Sequence, residues 1–159
     1  MKWTHVTSKA ACMLIAAALA GCAGMGGGPL SLRMTGAEEV PPVNTSASGT
    51  GQITVNEDRT VSGSFKTQGA TITVAHIHEG AAGQNGPVVI PLTKSADGGW
   101  AVPAGAKLTE PQYNAYKAGR LYVNFHSAQH KGGEIRAQIR PSGSGGGSGG
   151  GSSGGGSTY

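Results

Sequence analysis

Leu121-Tyr122-Val123-Asn124-Phe125-His126 alternates apolar and polar side chains without interruption. That period of two is the signature of a strand with one buried face, here Leu121, Val123 and Phe125, and it sends His126 to the opposite face. Ile135-Ala137-Ile139 repeats the pattern downstream. Upstream, Ile72 and Val74 open a strand that runs into His76-Ile77-His78. Leu30-Leu32-Met34, Ile53-Val55 and Val61-Phe65 share the same alternation, and Val88 to Leu92 and Trp100 to Val102 are short apolar runs. Asn56-Glu57-Asp58-Arg59 between the second and third segments is a hairpin signal. These segments predict eight short strands.

One helix is expected among them. Thr109 with Gln112 three residues later forms a capping box, Pro111 is tolerated in the first turn and Gly119 closes the segment. Runs of strands with a single brief helix predict an all-β fold, an antiparallel Greek-key β-sandwich.

The ends of the chain do not belong to that core. Met1 to Lys9 carries two lysines and no acid, and Ala10 to Ala20 is a small, apolar run. A run this short suits a secretory signal rather than a membrane span, which needs about 20 residues. Leu19-Ala20-Gly21-Cys22 follows directly and resembles the lipobox of bacterial lipoproteins. That resemblance implies cleavage before Cys22 and its lipidation; several acyl chains on one cysteine anchor firmly where a single chain is marginal. Ala23 stands where an inner-membrane retention signal would place Asp, which favours the outer membrane. The expected organisation is a signal peptide over 1–21, a Gly-rich tether over 22–28, a folding unit over 29–141 and a Gly/Ser-rich tail over 142–159.

Composition narrows the function classes. Of 12 basic residues Lys2 and Lys9 leave with the signal, so 10 face 8 acidic side chains, a net charge of +2 with no long basic block. Phosphate binding needs clustered Lys or Arg, so nucleic acid is not an expected partner. Cys12 also leaves and Cys22 is consumed by lipid, which excludes a disulfide, a thiolate metal ligand and a cysteine nucleophile. No Ser-His-Asp, P-loop or paired-carboxylate arrangement can be assembled, and the aspartates, Asp58 and Asp97, both sit in turn contexts.

The four histidines of the mature chain are its most informative residues: His76 with His78, and His126 with His130. Residues i and i+2 of a strand project to one side, so His76 and His78 form a two-imidazole clamp. His126, on the polar face of its strand, and His130, in a Gly-rich turn, complete the candidate metal ligands. Imidazoles without thiolate suit copper or zinc, with copper favoured. Glu79, Asn124 and Glu134 are candidates to orient the rings. Arg136 is a candidate to hold an anion beside the metal, and Trp100 and Tyr122 are expected to pack within the sandwich.

Three signatures in order carry a family resemblance. They are Thr35-Gly36-Ala37-Glu38-Glu39-Val40-Pro41-Pro42-Val43, then Ala75-His76-Ile77-His78-Glu79-Gly80 with Gly86-Pro87-Val88-Val89, and finally Tyr122-Val123-Asn124-Phe125-His126-Ser127 with Gly133-Glu134-Ile135-Arg136. Together they resemble the CHRD domain, named for chordin and common in bacterial exported proteins. A more distant likeness is to the copper-zinc superoxide dismutase sandwich, in which a strand His-X-His and a later strand histidine bind copper. It implies an immunoglobulin-like or superoxide-dismutase-like sandwich, with His76, His78 and His126 as copper ligands and Arg136 as an anion guide. Ala81 to Val89 lacks the bridging histidine and zinc-loop Asp of the dismutases, so no zinc subsite is expected.

The expectation is a lipid-anchored, extracytoplasmic domain whose partners are a membrane and a metal ion, serving metal binding, storage or protection. A copper-only superoxide dismutase-like enzyme and a metal-free adhesion or scaffolding module are the alternatives; the protein partner is open.

Overall fold

The alternating segments form strands, and every strand pairing is antiparallel. In the computed structural model, which describes residues 28–141, β1 (Leu30–Thr35), β2 (Ser48–Val55) and β3 (Val61–Gln68) make a meander. The signal segment, Cys22 with most of the tether, and the Gly/Ser tail lie outside the described residues. The β2–β3 hairpin closes as its sequence requires. Arg59 takes a left-handed φ of 73°, and Asp58 Oδ1 accepts from the Thr60 amide at 3.0 Å.

β4 (Ile72–Glu79), β5 (Val88–Pro91), β6 (Thr93–Lys94), β7 (Trp100–Ala101), β8 (Leu121–Ser127) and β9 (Ile135–Ile139) follow, with α1 (Glu110–Lys117) before β8. Among the described residues, eight of the nine strands coincide with the eight predicted segments, alternating stretches and apolar runs alike. The ninth, β6, is a two-residue pairing with β7 that has no apolar face to betray it. The helix has its capping box: Gln112 Oε1 accepts from the Thr109 amide at 2.8 Å, and Thr109 Oγ1 accepts from the Gln112 amide at 3.4 Å.

The strands run in the order β5-β4-β8-β9-β1-β2-β3-β7-β6. This sheet must double over. β8 and β3 are four strands apart, about 19 Å along a flat sheet, yet the Phe125 and Phe65 rings meet edge-on with centroids 5.7 Å apart. Trp100 of β7 also reaches Phe125, at 6.4 Å, so the two leaves enclose one core. Only Leu92 separates β5 from β6 along the chain, so the two edges adjoin and the sheet nearly closes on itself. The result is the expected all-β sandwich, built from one folded sheet instead of two separate ones.

The inner face of β8 and β9 is apolar, with Val123, Phe125, Ile135 and Ile139 fully buried. Every residue of both strands is buried, so the outer face is covered too. There Tyr122, Asn124, His126, Arg136 and Gln138 form a second, polar layer under the loops around 36–47, 80–87 and 128–134. Those loops are stitched to it by hydrogen bonds: the Gly86 amide donates to Tyr122 Oη (3.1 Å), Gln138 Nε2 to the Gly80 carbonyl (2.9 Å) and Asn85 Nδ2 to the Val40 carbonyl (2.7 Å). The Val40–Pro41 peptide in the first of these loops is cis.

Candidate metal centre

β4 presents His76 and His78 on the outer face, as their spacing requires. The β4–β8 register sets His78 opposite Tyr122, His76 opposite Asn124 and Val74 opposite His126. His126 is therefore the diagonal neighbour of His76, close enough for two rings to touch. His76 Nδ1 and His126 Nε2 are 3.2 Å apart. The ring centroids of the three histidines lie 5.4, 5.1 and 5.9 Å from one another.

Hydrogen bonds fix which nitrogens are free. A carbonyl can only accept, so His126 Nδ1, 3.0 Å from the Lys131 carbonyl, carries a proton and leaves Nε2 bare. His78 Nδ1, 3.0 Å from the Gly86 carbonyl, does the same. His78 Nε2 is then a buried lone pair, and it has no hydrogen-bond partner. In the metal-free protein His76 Nδ1–H donates to His126 Nε2. A metal would displace that proton, which His76 can carry on Nε2 instead.

The three ligand atoms lie within 4.8 Å of one another. Imidazoles bonded to one ion at about 2.0–2.1 Å stand about 3.3–3.6 Å apart. The His76–His126 contact, at 3.2 Å, is within about 0.1 Å of this range, and a small inward movement of His78 would complete the set. Three histidines thus form a group that could hold a metal ion. Burial lowers the pKa of all three below the usual 6.5, helped at His76 by the neighbouring His126 ring and opposed at His78 and His126 by the carbonyl each ring bonds. Their lone pairs stay available at neutral pH. His78 and His126 are each 8% exposed, whereas His76 is half-buried and forms the approach. Val74 and Val88, register partners of His126 and His78, are exposed at its rim.

The supporting residues differ from those the sequence suggested. Backbone carbonyls orient the rings, supplied by two Gly-rich loops. Asn124 instead donates to Glu39 Oε2 and to the Gly132 carbonyl, both at 3.4 Å. Glu134 accepts from Ser127 Oγ at 2.6 Å and from Thr45 Oγ1. Glu79 lies 3.8 Å from Arg120. His130 is not brought into the group: its Nε2 lies 3.9 Å from Glu134 Oε2.

Arg136 is 1% exposed, and its guanidinium is taken up by Asn85 Oδ1, Gln138 Oε1 and the Ala81 carbonyl, each at 3.2 Å. It lies 3.4 Å over the Tyr122 ring, whose neighbour on the β4 side is His78, stacked at 5.0 Å. Arg136 therefore braces Tyr122 behind His78 and is not placed as a guide for anions. Tyr122 belongs to this polar layer, whereas Trp100 packs in the core as expected.

Glu39 is the residue that sequence reasoning passed over. It reaches Asn124 from a position 85 residues away, and its one sequence cue was its place in the Thr35–Val43 signature. Burial pushes its pKa up to about 7, against the lowering effect of Arg136 and of the Asn124 hydrogen bond.

A comparison with family models matches residues 30–139 to the CHRD domain, which takes in every strand and the helix among the described residues, with His76, His78 and His126. No curated protein and no solved structure matches the chain.

Proposed function

The chain belongs to the CHRD domain family, and we propose that His76, His78 and His126 bind one copper ion in a domain held outside the cytoplasm by lipid on Cys22. The single observation that carries the reading is His78 Nε2, a buried lone pair without a partner beside two further imidazole nitrogens. A buried polar atom left unpaired costs about 1–3 kcal/mol, which a bound cation would offset. Copper is the occupant because the donor set is imidazole alone and copper heads the divalent affinity order. Three protein nitrogens with a half-buried His76 at the approach leave a position open to exchange, which suits binding, storage or protection. The likeness of Leu19-Ala20-Gly21-Cys22 to a lipobox supports a location at the cell envelope, and Ala23 favours the outer membrane.

Titrating the full-length protein with Cu(II) and following electron paramagnetic resonance should give one copper per chain with nitrogen hyperfine structure. A His76→Ala/His78→Ala variant should keep its circular dichroism spectrum and bind none. Copper that is not stoichiometric in the unaltered protein, or that survives in the double variant, overturns the assignment. For the anchor, incorporation of labelled palmitate should vanish on Cys22→Ala; unchanged labelling would remove it.

A further inference from the structure

Two acceptor oxygens stand unpaired in the polar layer beside the histidines: Glu39 Oε1 and Asn124 Oδ1, on side chains that are 4% and 2% exposed. The same two side chains already share one bond, Asn124 Nδ2 to Glu39 Oε2 at 3.4 Å. An ionised carboxylate has no proton to offer the amide oxygen. A carboxylic acid does, and a single proton on Oε1, donated to Oδ1, would answer both orphaned atoms and close a two-bond ring of acid and amide. We propose that Glu39 is a neutral carboxylic acid in the folded protein, paired reciprocally with Asn124, and that this pair is a positioning element for the His126 ring.

The charged groups around Glu39 permit the neutral form. Arg136 on β9 favours ionisation, but its guanidinium is taken up by Asn85, Ala81 and Gln138 and makes no hydrogen bond to Glu39. Glu134, in the turn before β9, opposes ionisation, and burial outweighs all of these.

The connection to His126 runs through the turn of residues 128–134. Asn124 Nδ2 also donates to the Gly132 carbonyl at 3.4 Å. The Glu39 carboxyl and the Asn124 amide together fill the space where a Cβ on residue 133 would stand, so Gly133 lets the pair press on the turn. Lys131, the residue before Gly132 in that turn, supplies the carbonyl that holds His126 Nδ1–H. Ionising Glu39 removes the Oε1–H bond and leaves a buried negative charge against the turn, loosening the carbonyl that aims His126.

The significance for metal rests on the proposed copper site, but the pair can be tested in metal-free, full-length protein. At pH 6 infrared spectra should show the carbonyl stretch of one protonated carboxylic acid, absent in Glu39→Gln. Nitrogen-15 NMR should show His126 Nδ1–H held at pH 6 and broadened by exchange at pH 8. Glu39→Gln, whose amide offers the same donor to Oδ1, should keep it sharp at both. With copper, affinity should be equal for the two proteins at pH 6, and roughly tenfold weaker in the unaltered protein at pH 8. No acid band removed by Glu39→Gln, as when a trapped water fills the gap, overturns the neutral pair. A band accompanied by a His126 signal that Glu39→Gln does not alter overturns the positioning role. Failure to bind copper sinks the metal reading and leaves both tests of the pair in force.

Discussion

Glu39 and the three histidines pull the pH dependence of stability in opposite directions. A carboxyl whose folded pKa is raised from 4.5 to about 7 contributes stability that is complete below 4.5 and lost as pH rises through 7. The span corresponds to about 3 kcal/mol as an upper figure. The histidines, lowered from 6.5, contribute stability above 6.5 that is lost as pH falls through their folded values. Urea unfolding of the metal-free protein at a series of pH values should therefore find Glu39→Gln gaining on the unaltered protein between pH 5 and 8, by up to about 3 kcal/mol. A constant difference across that range would mean that Glu39 titrates normally. Copper loading should follow the histidines alone on the acid side, holding from pH 7 down to 6.5 and failing only below, as read by paramagnetic resonance.

The residue scale also marks what sequence could supply. His76, His78 and His126 were legible because strand periodicity fixes the face of each side chain, and two strands with polar faces must present them on one side. His130 was not, because a turn residue has no such constraint; its partner Glu134 is four residues on. Glu39 was invisible because its contact with Asn124 is made by tertiary folding, and a carboxyl beside prolines in a loop reads as solvent-exposed.

At the scale of elements, the loops matter as much as the strands. The 80–87 loop supplies the Gly86 carbonyl to His78 and the Gly86 amide to Tyr122, a clamp on both stacked rings. A Cβ at residue 86 would collide with the Glu79 carbonyl at the end of β4, and backbone cannot swing away. Gly86→Ala should cost about 2 kcal/mol in thermal or urea unfolding. It should also weaken copper roughly 10–100-fold through the misaimed His78 ring. A full loss of stability with unchanged affinity would show that the carbonyl does not orient His78. Sequence disclosed the strands, the capped helix and the hairpin, since each is written in side-chain period or turn chemistry. It could not disclose the covering of the outer face, because alternation says which residues leave the core and not what lies over them. The orienting groups are backbone carbonyls in Gly-rich loops, so no side chain announces them.

At the scale of the whole molecule, the position of the site within the sheet decides how far metal binding is felt. β4 and β8 are neighbours inside the folded sheet, with seven register pairs between them, and β8 also carries Phe125, the ring at which both leaves meet. An ion bonded to His76 and His78 on one strand and His126 on the next ties together two strands that must separate when the domain unfolds. Unfolding would then be opposed by the whole binding free energy, provided the unfolded chain holds copper poorly. Free copper at 100 times its dissociation constant should add about 2.7 kcal/mol. For a domain of this size that is a rise in Tm of roughly 10 °C. The rise should grow with the logarithm of copper concentration and be absent in His126→Ala, which keeps the β4 clamp but cuts the bridge to β8. An equal rise in that variant would place the metal on β4 alone.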